Sequence, residues 1–340
     1  MEEGIEGMTD LVPEKPSSLV VGWGALNLDL IFEVDDFKSL GPGPVRPEPG
    51  KELSGSEEVF QWLLERLHCV SRLMRRNGGG SAANTLFALA RMGFPAAYIG
   101  KVGDDPEGDL LIEGMRPVQT HWIRKGGRSG ACLIVMDRRR DRFILVRENV
   151  ANDTLALEEI DLEGLLSISW LHLTSFMGEV PLEAQIMVLP SLSSATRVSM
   201  DPGEVYVRKG WDRLSPLIQR CYVVFLTEEE IRLLTGESPT RGAKRILEEG
   251  PSVVVCKKGR RGSHIFTNRD DFEVSGEEVD VADNTGAGDV YNAGFLAGLF
   301  MRRSLEESAR FATHISAISL TGYGRERYPT RRDLETFFNL

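Results

Sequence analysis

Short apolar runs alternate with helical segments along most of this 340-residue chain. The first run, 19–24, is apolar at nearly every position, which is typical of a parallel strand buried on both faces. The same pattern predicts further strands at 97–101, 170–173, 197–200, 222–226 and 252–256. Helices are predicted between them over 81–92, 211–220 and 241–249. This alternation predicts an α/β fold, with helices on both faces of a mainly parallel sheet.

Three stretches depart from the alternation. Residues 28–34 alternate between apolar and acidic positions as a half-exposed strand, and 131–136 with 143–147 form a hairpin joined by a charged turn. A helix is predicted over about 56–75 from apolar residues at helical spacing: Val59, Leu63, Leu67, Val70 and Met74.

Composition and charge limit the class of protein. With 41% hydrophobic and 27% charged residues, the chain is typical of a soluble globular protein, and its net charge of −11 argues against binding to nucleic acid or anionic membranes. The four cysteines and five histidines show no metal spacing, so we predict buried thiols and no structural zinc. Residues 1–16 are acidic and lack an apolar core, which predicts a flexible tail rather than a signal peptide. No apolar stretch is long enough to span a membrane, so we predict a cytoplasmic location.

The most informative segment is Asp-Asn-Thr-Gly-Ala-Gly-Asp at 283–289, which precedes a helix-compatible run. A glycine turn that opens a helix leaves backbone N–H groups unpaired, and the helix dipole adds positive potential there. An anion can bind at such a turn, with Asp289 beside it as a proton acceptor. Phosphoryl transfer to a hydroxyl group needs both features. We therefore predict four catalytic residues: Gly286, Ala287, Gly288 and Asp289.

A second glycine-rich segment reads Gly-Gly-Gly-Ser-Ala-Ala-Asn-Thr at 78–85, followed by Gly-Lys-Val-Gly-Asp-Asp at 100–105. Together the two segments resemble the signatures of the ribokinase-like (PfkB) carbohydrate and nucleoside kinases, with Asn284 as the one departure inside the first. The resemblance runs from about Leu19 to Phe338. It implies a three-layer αβα domain over 17–340 with a mainly parallel central sheet. It also implies a small β-sheet lid, from about 28–36 and 120–150, with the helix at 56–75 as an insertion.

The resemblance implies a Mg²⁺-dependent kinase that uses ATP, or ADP as in some relatives. Asp289 matches the family's catalytic base. Glu230 is the expected metal contact, although Thr227 replaces the usual asparagine of its Asn-x-x-Glu motif. Asp283 matches a position that holds a monovalent cation such as K⁺ in some relatives, and loop hydrogen bonding is the alternative. The implied nucleotide-binding residues are Thr227, Lys258, Gly259, Gly262, Thr285 and Gly288.

The acceptor side is implied by Gly-x-x-Asn-x-Asp at 24–29 and by the glycine-rich segment that follows. We expect a sugar, polyol or nucleoside to be bound by Asn27, Asp29, Gly79, Gly80 and Asn84. The hairpin arginines Arg128 and Arg142 loosely resemble phosphate-binding arginines, which leaves a sugar phosphate as an alternative acceptor. Solvated charges on an exposed hairpin are the other interpretation of these arginines.

Two other classes of protein compete with a kinase. Gly22-Trp23-Gly24 resembles the start of the Gly-x-Gly-x-x-Gly fingerprint of NAD-binding dehydrogenases. The third glycine is absent and the following residues are extended, which argues against a dehydrogenase. A non-catalytic sugar- or nucleoside-binding regulator is the second alternative, and it need not retain Asp289. The expected partners are a small-molecule substrate and a second copy of the chain, bound through the lid.

Overall fold

Strands and helices alternate through the protein, whose computed structural model describes residues 19–139 and 141–340. The predicted tail, 1–16, and Arg140 of the charged turn lie outside the described residues. The strands are β1 (Val20–Trp23), β2 (Asn27–Glu33), β3 (Glu52–Gly55), β4 (Leu73–Gly79), β5 (Ala96–Val102), β6 (Ile123–Lys125), β7 (Gly130–Met136), β8 (Arg142–Arg147), β9 (Trp170–Thr174), β10 (Arg197–Asp201), β11 (Val223–Thr227), β12 (Val253–Lys257), β13 (Ser263–Thr267) and β14 (Asp271–Val274). Each strand predicted from the sequence is present.

Most of the α-helices lie between strands, and the last three follow the final strand. They are α1 (Glu57–Val70), α2 (Ser81–Arg91), α3 (Pro106–Glu113), α4 (Leu162–Leu165), α5 (Glu179–Val188), α6 (Gly203–Val207), α7 (Trp211–Arg220), α8 (Glu228–Thr235), α9 (Pro239–Glu249), α10 (Ala287–Phe300), α11 (Leu305–Ser319) and α12 (Arg331–Phe338). Across the described ranges, no helix has the length and apolar character needed to cross a bilayer.

A nine-stranded sheet forms the centre of the described part of the chain, in the order β14–β13–β12–β11–β10–β9–β1–β5–β6. The pairs from β12 to β6 are parallel, and β13 and β14 add an antiparallel hairpin at one edge. This agrees with the mainly parallel sheet that the alternation of strands and helices predicts.

Side chains of the central strands alternate between two cores. Val20 joins the core that contains α2, α10 and α11, whereas Val21 joins the core that contains α5, α7 and α9. On β12, Val253 and Val255 face the first core and Val254 faces the second. Successive side chains of a strand point to opposite faces, so an all-apolar strand requires helices on both faces. The result is the three-layer αβα arrangement.

A second sheet of five strands has the order β3–β8–β7–β2–β4. We call it the small sheet. Two of its strands, β3 and β4, lie outside the predicted ranges 28–36 and 120–150, and β6 within the second range pairs instead with β5 of the main sheet. The predicted composition of the lid is wrong in these details, because strand pairing depends on contacts that are distant in sequence.

The inserted helix is shorter than predicted. Helix α1 ends at Val70, followed by Ser71 in an extended conformation, and Met74 belongs to β4. Pairing of β4 with β2 satisfies backbone groups that a longer helix would leave unpaired on β2. The buried residues of α1, Phe60, Leu63 and Leu67, join a core that also contains Leu133 and Phe143 of the small sheet. Helix α1 therefore covers one face of the small sheet.

Candidate active site

The two glycine-rich segments meet at the N-termini of α2 and α10. The Ser81 hydroxyl donates a hydrogen bond to Oδ1 of Asp289 at 2.5 Å, and the Asn84 side-chain amide donates to Oδ2 at 2.9 Å. The Thr85 hydroxyl donates to the backbone carbonyl of Asp289 at 3.2 Å. The first turn of one helix thus holds the carboxylate at the first turn of the other.

The glycine turn before α10 has the conformation that the sequence predicts for an anion site. Gly286 has a φ of +77°, in the left-handed region, and a Cβ added there would lie 2.3 Å from the Tyr328 hydroxyl. Glycine is therefore required at this position. No side chain caps the N-terminus of α10, so its first backbone N–H groups are available to an anion.

Asp289 is tuned to accept a proton near neutral pH. Burial raises its pKa to about 6, opposed by the hydrogen bonds from Ser81 and Asn84, which stabilise the charged carboxylate. The carboxylate is consequently the dominant form at pH 7. A base whose pKa lies near the working pH is efficient in general base catalysis.

Next to this turn lies a buried ion pair that the sequence analysis did not single out. Lys257, at the end of β12, contacts Asp201, at the end of β10, with Nζ and Oδ2 2.5 Å apart, and Asn292 donates to the same oxygen at 2.6 Å. Burial opposes ionisation of Asp201, but Lys257 and Asn292 outweigh it and lower its pKa. A Cβ added to Gly288 would lie 3.5 Å from Lys257 Nζ, so this cation stands beside the anion turn.

The predicted acceptor residues cluster where β2 pairs with β4. Asn27 is opposite Gly79, and a Cβ on Gly79 would lie 2.1 Å from Asp29 Oδ2, so the glycine makes room for this carboxylate. Burial raises the pKa of Asp29 to about 7, although Arg325 lowers it. Asn27 Oδ1 accepts a 2.7 Å hydrogen bond from Asn152, which fixes the strand exit. Gly80, with a φ of +113°, immediately precedes α2.

The two predicted hairpin arginines have different surroundings. Arg128 forms an ion pair with Glu57 of α1 at 2.7 Å and is about half exposed. Arg142 donates to Oδ1 of Asn284 at 3.3 Å, which brings it over the 283–289 segment. Of these two arginines, only Arg142 contacts the candidate site directly.

On the nucleotide side, several predicted residues are engaged with one another. Thr227 and Glu230 form a reciprocal capping box at the start of α8, in which the Thr227 N–H donates to Glu230 Oε2 at 2.6 Å. Burial and the nearby Asp201 raise the pKa of Glu230. Lys258 pairs with Glu273 at 2.7 Å, so Lys257 rather than Lys258 reaches the anion turn.

The turn at 259–262 packs against β14. A Cβ on Gly262, where φ is +87°, would lie 2.0 Å from the Val274 carbonyl oxygen. Beside it is an open cavity of about 380 Å³, lined in part by Val274, Ser275 and Thr313. The Thr313 hydroxyl is buried and has no hydrogen-bond partner in the described part of the chain.

Asp283 links two loops. Its Oδ1 accepts from the Thr285 N–H at 2.9 Å and its Oδ2 accepts from the Gly324 N–H at 3.0 Å. Both oxygens are thus used in loop hydrogen bonds. Across 19–139 and 141–340, no three His, Cys, Asp or Glu side chains converge as a metal cage.

Sequence reasoning predicted Asp289 and Asn84 as site residues but missed their neighbours Ser81 and Asp201. These two stand at a helix start and at a strand end, where polar side chains are a usable signal. Arg325 gave no such signal, because it belongs to an irregular segment between α11 and α12.

Comparison with known proteins gives a consistent picture. Residues 63–331 match the family model described as pfkB family carbohydrate kinase. A protein from Archaeoglobus fulgidus, named an uncharacterized sugar kinase, is 35% identical over 252 residues, which cover 72% of this chain and 99% of that protein. An ATP-dependent ribose-1-phosphate kinase from Halopiger xanaduensis is 28% identical over 279 residues, which cover 79% of this chain and 88% of that protein.

Solved structures share the fold. The adenosine kinase from Sinorhizobium meliloti superimposes with a TM-score of 0.83 at 20% identity, over 94% of this chain and 99% of that one. The predicted three-layer αβα architecture is confirmed by this likeness and by the sheet order described above.

Proposed function

Because this chain belongs to the pfkB family of carbohydrate kinases, which transfer a phosphoryl group to an alcohol, we propose that it transfers the terminal phosphoryl of ATP to a hydroxyl of a sugar, polyol or nucleoside. The observation that carries the proposal is the contact of Ser81 and Asn84 with the Asp289 carboxylate, beside an uncapped helix N-terminus. A base and an anion site are adjacent, as this reaction requires.

In the proposed step, Asp289 takes the proton of the acceptor hydroxyl as its oxygen forms a bond to the terminal phosphorus. The bond from that phosphorus to the bridging oxygen breaks, and the nucleoside diphosphate leaves with the electron pair. The N–H groups of 286–288 stabilise charge on the transferred phosphoryl, and Lys257 adds a nearby positive charge. Asp29 accepts hydrogen bonds from the acceptor, while the small sheet covers the site and excludes water.

The cavity beside the turn at 259–262 supports a site for the base of the donor nucleotide. It is partly apolar, as a pocket for a planar base would be, and Ser275 and Thr313 are among the residues of its wall. The space beside Gly259 is open, which supports approach of a ligand to the backbone there, whereas Gly262 makes room for the Val274 carbonyl oxygen.

The residues present also fit Mg²⁺ bound together with nucleotide phosphates. Mg²⁺ usually takes one or two carboxylates and keeps several waters, so it needs no closed protein cage. Glu230 would hold it, directly or through water, and the metal would neutralise phosphate charge. Asp283 lacks similar support, because both of its oxygens accept backbone hydrogen bonds. The contact between Asp283 and the 322–325 segment keeps K⁺ binding there as a prediction.

A phosphorylated sugar is the second candidate acceptor. Arg142 lies against Asn284 of the signature segment and can reach an anionic group above the site. The Halopiger xanaduensis relative is named for ribose 1-phosphate, which supports the same alternative. ADP as the donor, a homodimer through the small sheet and a cytoplasmic location stay predictions. Since α1 covers one face of the small sheet, a dimer would use its strand edges or its other face.

A donor-by-acceptor screen tests the proposal. ATP and ADP would be incubated with pentoses, hexoses, inositol, nucleosides and sugar phosphates, with and without Mg²⁺ and K⁺, and product would be detected by mass spectrometry. We expect a product one phosphoryl group heavier than its acceptor with wild type, formed about 10²- to 10⁴-fold more slowly with Asp289→Asn. Acceptor binding without transfer by the wild type would instead favour the non-catalytic regulator.

A further inference from the structure

The guanidinium of Arg325 touches the residue that orients the proposed base. Its Nε donates a 3.1 Å hydrogen bond to Oδ1 of Asn84, and the opposite end of the same amide, Nδ2, donates to Oδ2 of Asp289 at 2.9 Å. The three side chains form a continuous relay from an irregular loop to the carboxylate. We propose that Arg325 is a positioning residue for phosphoryl transfer, acting through the Asn84 amide on Asp289.

Arg325 is itself held firmly. Its Nη1 donates to the carbonyl of Gly114 at 3.1 Å, and its guanidinium carbon lies 4.5 Å from the centre of the Phe87 ring. These contacts fix the plane of the guanidinium. Because the group is planar, its Nε–H then points in one direction, toward Asn84. The remaining nitrogen, Nη2, is buried and has no hydrogen-bond partner among residues 19–139 and 141–340. Packing therefore holds Arg325 in place, although one of its donors is unused.

The charges around Arg325 give a reason for burying a guanidinium with one unused donor. Arg325 forms no ion pair within 4.0 Å among the described residues, yet the charges of Asp29 and Asp289 favour its protonated form. Its Nε–H fixes Oδ1 of Asn84 on the side away from Asp289. Rotation of the amide by half a turn would point an oxygen at the carboxylate and an N–H₂ group at the guanidinium, and both contacts would be repulsive. Arg325 and Asp289 thus select the same amide orientation from opposite ends.

The groups that face Asp289 define what a pH measurement would report. They are Ser81 and Asn84 of α2, Asp201 of β10, Lys257 of β12, Asp29 of β2, Tyr98 of β5, and Arg325 with Tyr328 of the last loop. Loss of Arg325 removes a positive charge and frees the Asn84 amide. Both changes weaken stabilisation of the carboxylate form, so both raise the pKa of the base.

The positioning role of Arg325 rests on the proposed function. A double-mutant cycle tests it. Arg325→Ala and Arg325→Lys would each be made alone and together with Asn84→Ala, with the exposed Arg332→Ala of α12 as the matched control. The readouts are kcat, KM for the acceptor, the pH dependence of kcat/KM and thermal unfolding. Arg325→Lys keeps the positive charge, so it can be used in the cycle if Arg325→Ala does not fold.

We expect kcat to fall by about 10- to 100-fold in either Arg325 variant, because small misplacement of a reacting group has effects of this size. The acid limb of kcat/KM should move to higher pH, and Arg332→Ala should match the wild type. In the Asn84→Ala background the same changes at Arg325 should cause little further loss, since the connecting amide is gone.

Losses that multiply with that of Asn84→Ala would overturn the relay, as would a rise in KM for the acceptor with unchanged kcat, which would indicate direct binding of the acceptor. A wild-type protein that transfers no phosphoryl group from ATP or ADP would instead overturn the proposed function.

Discussion

The Ser81 hydroxyl donates a 2.5 Å hydrogen bond to the Asp289 carboxylate, 208 positions later in the chain. Ser81 opens helix α2 and Asp289 lies in the first turn of α10, so this bond joins the two glycine-rich segments that are most informative in the sequence. Neither segment alone contains both the base and the groups that orient it. Their meeting point is where we expect the chemistry to take place.

Replacement of Asp289 by asparagine should abolish the proton acceptor while preserving the fold. We expect kcat to fall by about 10²- to 10⁴-fold, the usual contribution of a general base. Asp212→Asn, at the first turn of α7, is a matched control for an acid at a helix N-terminus and should retain wild-type kcat. Steady-state kinetics with the acceptor from the screen would measure both, and equal rates for Asp289→Asn and wild type would refute the base assignment.

Removal of the Ser81 hydroxyl should shift the pH profile. The pKa of Asp289 is raised to about 6 by burial and held down by the hydrogen bond from Ser81, so Ser81→Ala should raise it further. A hydrogen bond to a charged group is worth about 1.5–3 kcal/mol, so the acid limb of kcat/KM should move up by about one to two pH units. Ser71→Ala, which removes a hydroxyl at the end of α1, should leave the limb unchanged. A limb that stays in place in Ser81→Ala would show that this bond does not tune the base.

Asp29→Asn should separate acceptor binding from stability. The folded-state pKa of Asp29, about 7, is raised above its value of 3.8 in an unfolded chain, so its contribution to stability is greatest below pH 4 and is lost as the pH rises toward 7. The variant should therefore gain thermal stability relative to wild type between these values and keep that gain at pH 8. At the same time kcat/KM for the acceptor should fall by about 10- to 100-fold, through the loss of a charged acceptor of hydrogen bonds.

Thermal unfolding from pH 4 to pH 8 and acceptor kinetics would measure these two effects of Asp29→Asn. Glu33→Gln, at the exposed end of the same strand, is the control and should change neither quantity. A stability difference that does not vary with pH would contradict the raised pKa.

The buried ion pair of Lys257 and Asp201 should be costly to break. Lys257→Met leaves the Asp201 carboxylate buried without its cation, and the free energy of unfolding should fall by about 3–5 kcal/mol. Adding Asp201→Asn should restore part of that loss, because the uncompensated charge is gone. Arg208→Met breaks an exposed pair with Glu204 and should cost less than about 1 kcal/mol. Urea unfolding would measure all three, and a loss for Lys257→Met as small as that for Arg208→Met would contradict a stabilising buried pair.

The sequence predicted most of the main sheet because its strands are buried on both faces. Runs such as Val253 to Cys256 have no polar position, and such runs between helical segments are compatible with few folds. The small sheet was harder to predict. Most residues of its strands β3 and β4 are exposed or half-buried. Val70 and Met74 also continue the helical spacing of α1, which predicts a helix where β4 begins.

By itself, the sequence determined the three-layer architecture and the glycine turn beside Asp289, because local periodicity and the backbone freedom of glycine are readable along the chain. Only the tertiary structure decided which side chains surround the base. Ser81, Lys257 and Arg325 reach Asp289 or its neighbours from three elements that are far apart in sequence. Their placement follows from strand order and helix packing, and those long-range contacts leave no periodic trace in the chain.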